Sequence, residues 1–457
     1  MVQRVARTLV SVVSALLVFL ATVANAQERG RLIRDTEIEA TIAAYAAPLL
    51  SAAGLDANAV RFYIVNSPVL NAFVAGGQNL FISTGLLVKS EDASQVIGVM
   101  SHEFGHMTGG HLARLDGALK DAFTQSIIGQ LIAVAAGVLA GNAGAAAGIS
   151  LGSNQMVQRS LLSFTRAQEQ AADQAGLTFL DQSHQSARGL LRFLEILGDQ
   201  EALLIDRQDA YVVTHPLTRD RVEFVRHHVE TSKWSDQPID PVFAEMHRRM
   251  VAKLAGFLGY PSQTLRTYPA TDTSVYGRYA RAIAYYRMPD LAKALAEIDS
   301  LIAQFPRDPY FQELKAQILF ENGRIAEALP FNEAAVRLSP TSPLLRVSLA
   351  HNLIELNKPE SDKRAIAHLE EALRNDRGNA LGWRLAATAY GRSGDMGMSS
   401  LSLAEYSLQT GRYQEAVGQA QRAERLLPRG SPGWLRSQDI LDLARREAQK
   451  QRERGRR

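Results

Sequence analysis

The chain has 457 residues, 46% of them hydrophobic, enough to bury a substantial core and to exclude a disordered or fibrous class. Lys and Arg number 50 against 47 Asp and Glu, and a net charge of +3 leaves no electrostatic footprint for nucleic acid. Cysteine is absent, so disulfides and thiolate chemistry are excluded, and any metal site must use His and carboxylate.

Residues 1–26 read as a secretory signal peptide. Arg4 and Arg7 precede an uncharged apolar run from Thr8 to Val23, and Ala24-Asn25-Ala26 fits the cleavage pattern. The alternative is an uncleaved membrane anchor. Cleavage removes two arginines and leaves 48 basic against 47 acidic residues. Export of a cysteine-free chain fits a bacterial periplasm.

An Ala-rich helix is expected from about 35 to 57, then a strand at Val60–Val65. Asn71–Ala75 and Asn79–Ser83 read as a hairpin around Gly76-Gly77. Helices are expected over 92–115, 156–181 and 186–197. The first half is therefore α+β, mostly helical, with a small sheet. Residues 122–158 carry no charge. Their Ala and Gly content favours a packed pair of small-residue helices, with a hydrophobic lid or peripheral membrane contact as the alternative. A membrane-embedded protease would need this run to span the bilayer.

From about 275 the chain reads as continuous helix with a repeat. Asp290–Leu295 returns as Arg324–Leu329 and Pro306 as Pro340, both 34 residues later. Gly411–Ala416 and Pro428 match Gly323–Ala328 and Pro340 at a shared offset of 88. Ala365–Leu373 is a degenerate copy displaced by an insert near Lys358-Pro359. This is the tetratricopeptide pattern, whose helical pairs stack into a solenoid with a concave groove. The predicted divisions are a signal peptide (1–26), a catalytic domain (27–265), repeats (275–442) and a basic tail (443–457). Residues 445–457 hold seven basic and two acidic residues, which read as a solvated helix end or disorder, with docking to an acidic partner or lipid surface as the alternative.

The sharpest chemical signal is His102-Glu103-Phe104-Gly105-His106. Helical residues four apart share a face, so both imidazoles reach one ion while Glu103 addresses water. His111 falls one residue short of a H-E-x-x-H-x-x-G-x-x-H pattern. On a continuing helix that slip turns its side chain by about 100°, which rejects it as third ligand. Glu169 is the better candidate, on a second helix whose Ala167, Ala171 and Ala172 allow close packing. Two His and one Glu leave a fourth position for water, as a catalytic zinc site requires. Asp173, one turn later, can accept the free N–H of a ligating His. Zinc is the first choice for this ligand set.

His102-Glu103-x-x-His106 with Glu169-x-x-x-Asp173 resembles the M48 family of zinc metalloproteases. The order of signal peptide, M48-like domain and repeats is closer still to its periplasmic members, across essentially the whole mature chain. The resemblance implies peptide hydrolysis with one Zn²⁺ per chain and Glu103 as general base. Asn71-Ala72-Phe73 with Gly76-Gly77, leading to Ser83, resembles the family's edge-strand region, which implies that substrate backbone pairs along 71–83. His215-Pro216 with Arg221 resembles the family's later His-Pro…Arg element. That implies His215 as a regulatory fourth ligand and Arg221 as a site-lining residue. Implied partners are unfolded or misassembled envelope proteins as substrates, and the outer-membrane β-barrel assembly machinery in the repeat groove. The competing expectation is a chaperone or scaffold for outer-membrane protein assembly with a latent zinc site.

Overall fold

The structure, a computed structural model, describes residues 32–75, 77–111, 166–203, 215 and 217–454. The expected signal peptide, the 122–158 run, Gly76 and Pro216 lie outside the described residues. Most of what is described is helix, with one small sheet, and the chain divides into two compact units, Met1–Leu254 and Ala255–Arg457. Among the described residues no helix is long and apolar enough to cross a membrane.

In the first unit, α1 (Thr36–Ala53) starts where the Asp35 carboxylate accepts from the amides of Glu37 and Ile38. The sheet follows: β1 (Leu32–Ile33), β2 (Arg61–Val65), β3 (Ala72–Ala75) and β4 (Asn79–Ser83), in the order β1-β2-β4-β3. β3 and β4 form the antiparallel hairpin that the Gly-Gly turn predicts, with Phe73 opposite Phe81. β2 lies parallel to β4 on its other side, with Tyr63 opposite Phe81. Tyr63, Phe81 and Phe73 stack across one face, while Ile64, Leu80, Ile82, Ala72 and Val74 enter the core from the other. This corrects the expectation of an edge running over 71–83. β2 covers β4, so among the described residues β3 alone is the edge strand of the hairpin.

Ser83 caps α2 (Thr84–Lys89) and Asp92 caps α3 (Ala93–Thr108), the central helix of this unit. A second correction concerns its length: α3 stops at Thr108 instead of running to 115. Gly110 takes a left-handed backbone with φ of 62°, which breaks the helix. Helix α4 (166–182), α5 (Arg188–Leu203) and α6 (Arg219–Thr231) follow, and α7 (Pro241–Leu258) closes the first unit. Where α3 meets α4 the backbones nearly touch. A Cβ on Gly105 would stand 2.5 Å from the Ala172 carbonyl oxygen, and one on Gly176 would stand 3.0 Å from the His102 amide. These two glycines bring the two helices into register.

The second unit continues from α7 through the short α8 (Pro261–Thr267). Repeat helices follow: α9 (Val275–Arg287), α10 (Leu291–Gln304), α11 (Pro309–Glu321), α12 (Ile325–Leu338), α13 (Pro343–Glu355) and α14 (Pro359–Asn375). The starts of α9, α11 and α13 are spaced by 34 residues, as are those of α10, α12 and α14. The insert becomes extra helix at the start of α14. Its buried Ala365, Leu369, Ala372 and Leu373 stand 37 residues after Ala328, Asn332, Ala335 and Val336. Then come α15 (Ala380–Arg392), α16 (Met396–Gln409), α17 (Tyr413–Leu426) and α18 (Pro432–Arg454). The basic run from 445 is the end of α18, with Ala444 and Ala448 buried along one side.

Candidate metal centre

α3 presents His102 and His106 one turn apart, so their Nε2 atoms stand 3.1 Å from each other. Glu169 of α4 reaches between them, with its oxygens 3.3 Å from each Nε2. His215, from the segment before α6, brings its Nδ1 to 3.2 Å from Glu169 and 3.4 Å from His102 Nε2. His102, Glu169 and His215 are buried, and the His106 side chain keeps 11% of its surface exposed. Four donor atoms thus converge on one point within 4.8 Å of one another. Tetrahedral coordination at 2.0–2.2 Å sets donor atoms about 3.3–3.6 Å apart, so these four residues fit a divalent ion of zinc's size.

The surroundings supply the second layer of contacts. His102 Nδ1–H donates to Asp173 Oδ1 at 2.7 Å, which turns the lone pair of Nε2 toward the centre. Arg221, fully buried on α6, donates from Nε to Asp173 at 2.7 Å and reaches Glu169 at 2.8 Å. Glu103 is completely buried. Its carboxylate lies 3.4 Å from His215 Nε2, and neither oxygen takes a hydrogen bond from any described residue.

The charges follow from these contacts. Burial pulls His102 down, but the Asp173 and Glu169 carboxylates outweigh it and hold its pKa up at about 9. At His106 burial outweighs the opposing pull of Glu169 and pushes the pKa down to about 4. Burial alone would raise Glu169, yet hydrogen bonds from His102, His106 and His215 hold it well below the usual carboxylate range. Burial likewise raises Glu103, and the neighbouring cationic groups only partly oppose it. A dication held here would take the place of the proton on His102 Nε2, so its uptake would be coupled to proton release.

The family model for peptidase family M48 matches residues 33–229, and one for the tetratricopeptide repeat matches 279–343. Residues 33–229 are an M48 peptidase domain, and the chain is a metalloprotease. It is 26% identical over 409 residues to the β-barrel assembly-enhancing protease of Yersinia pestis, covering 86% of this chain and 81% of that one. The Escherichia coli K12 protein of the same name is 25% identical over 420 residues, 91% of this chain and 84% of that one.

Of the residues singled out in the sequence, His102, Glu103, His106, Glu169, Asp173, His215 and Arg221 come together in one centre. Asn71, Ala72, Phe73 and Gly77 lie on the β3–β4 hairpin, outside the ligand cluster, and α3 packs against β3. His111 is outside the ligand set, but for a different reason from the one the helical argument gave. α3 has already ended at Thr108, and the His111 ring places its Nδ1 3.0 Å from His106 Nδ1. Sequence reasoning missed that contact and the Gln168 side chain, which donates to the His111 carbonyl at 3.1 Å. Gly109-Gly110 was the available signal, since paired glycines after a helical pattern mark its end.

Proposed function

We propose that the chain is a zinc-dependent endopeptidase of the periplasm that degrades misfolded or stalled envelope proteins. The observation that carries this reading is the convergence of His102, His106, Glu169 and His215 around a buried Glu103 whose oxygens take no hydrogen bond from the described residues. His102, His106 and Glu169 hold the ion, with Asp173 orienting His102. Zinc bound there supplies Lewis-acid polarisation of the scissile carbonyl and of water. Glu103 takes the proton from the attacking water and delivers it to the leaving amine. Arg221 keeps Asp173 and Glu169 ionised and in place.

His215 fills the fourth position, so the resting enzyme is latent until that side chain leaves. Substrate backbone adds to the β3 edge, a mode that reads extended chain before side chains and therefore favours unfolded clients. The repeats gather clients, or the outer-membrane β-barrel assembly machinery itself, and raise the local concentration of substrate. The relatives named for β-barrel assembly support this assignment of client class.

The test compares the wild type with Glu103→Gln and His215→Ala, measuring bound zinc and cleavage of an unfolded outer-membrane β-barrel protein. All three should hold about one zinc per chain. Glu103→Gln should lose activity by about 10²–10⁴-fold, and His215→Ala should exceed the wild type. Zinc in every variant without cleavage in any would favour the chaperone or scaffold reading. Absence of zinc from all three would refute the ligand set.

A further inference from the structure

The His106 imidazole has a partner that neither the ligand set nor the peptidase chemistry assigns. If His106 offers Nε2 to a metal, its proton must sit on Nδ1, and that N–H needs an acceptor in a largely dry site. The atom present is His111 Nδ1, at 3.0 Å, with the two rings nearly perpendicular at 80°. His111 is 5% exposed, so the contact is shielded from water.

Three local features hold the ring there. Gly110 adopts φ of 62°, a left-handed backbone that ends α3 just before His111. At Gly109 the His111 ring occupies the space a side chain would take, since a Cβ would stand 2.3 Å from its Nε2. Gln168, next in sequence to Glu169, donates to the His111 carbonyl and ties His111 to α4.

We infer that Gly109-Gly110-His111 is a clamp that positions His106 for metal binding, with His111 Nδ1 accepting the His106 Nδ1–H and fixing its tautomer and ring plane. His102 is oriented by an anionic partner, Asp173, and His106 by a neutral one. His111 is therefore a positioning residue that touches neither substrate nor metal. The inference rests on the zinc reading of the centre.

The test uses the full-length protein, stripped of metal, with Zn²⁺ affinity measured by competition against a chelator. His111→Asn keeps an acceptor near the place of Nδ1, whereas His111→Phe keeps the ring volume and removes the acceptor. The Phe variant should bind Zn²⁺ about 10–100-fold more weakly, with the Asn variant within about threefold of wild type. In protein carrying ¹⁵N-labelled histidine, the hydrogen-bonded His106 Nδ1–H signal should persist in the wild type and Asn variant and vanish in the Phe variant. Should His111→Phe fail to fold, Gly109→Ala displaces the same ring without removing it and should show the same loss. Equal affinity in wild type and Phe variant overturns the inference, as does an Asn variant as weak as a folded Phe variant. A wild type that takes up no Zn²⁺ refutes the metal-site reading itself, a distinguishable result.

Discussion

Arg221 shows how much of the centre rests on one side chain. Its guanidinium is buried and shared between Asp173 and Glu169, the carboxylates that serve His102 and the expected metal. Removing a buried cation leaves its anions uncompensated, at a cost of about 3–5 kcal/mol. Arg221→Met should therefore destabilise the metal-free protein by that order in urea unfolding. The difference from wild type should shrink once zinc is added, because a dication also neutralises Glu169; an equal penalty with and without zinc would contradict the account. The centre was unevenly legible in the sequence. His102, Glu103 and His106 are read from one helical spacing, and Glu169 and Asp173 follow from a second helix of small residues. Arg221 and His215 came only through family resemblance, because 48 residues separate Arg221 from Asp173 and 113 separate His215 from His102. The contact of His111 with His106 is not legible, because the helical pattern reads on past the glycines that end it.

At the scale of elements, the centre depends on how closely α3 and α4 approach. Gly105 lies between the zinc-ligand candidates of α3, and a Cβ there would meet the Ala172 carbonyl, which is backbone and cannot swing aside. Gly105→Ala should force the helices apart and cost about 1–3 kcal/mol of stability. Because Glu169 and Asp173 travel with α4, the same substitution should weaken zinc binding more than an equally destabilising change in the core away from α4. A chelator competition on the two variants separates these outcomes, and equal losses would count against the argument. The alanines around Glu169 announced tight packing in advance, but the glycines at the contact carry it. The sheet was half legible. The hairpin is local and is set by its turn, whereas the parallel pairing of β2 with β4 joins strands not adjacent in the chain. Nothing in a strand's own pattern names a partner across such a gap.

For the whole molecule, the repeat period is the most legible feature, because each helical pair buries the same positions against the next. Ala328, Asn332 and Ala335 are buried in α12, and Ala416, Ala420 and Ala423 take the same places in α17, at the offset of 88. In such arrays stability is close to a sum over neighbouring repeats, so a lesion in one pair spreads to those beside it. Ala328→Asp places a carboxylate in a fully buried position and should cost about 2–4 kcal/mol within the repeat unit. The metal centre is built wholly from the other unit, so zinc content should be unchanged. If the groove gathers clients, its damage removes local concentration and leaves the bond-breaking step intact. In a His215→Ala background, the added Ala328→Asp change should raise KM for an unfolded β-barrel protein by at least about tenfold. Cleavage of a short unstructured peptide, which does not need the groove, should keep its kcat/KM. Equal loss on both substrates would mean that the repeats act on the peptidase unit itself, and delivery would no longer explain their presence.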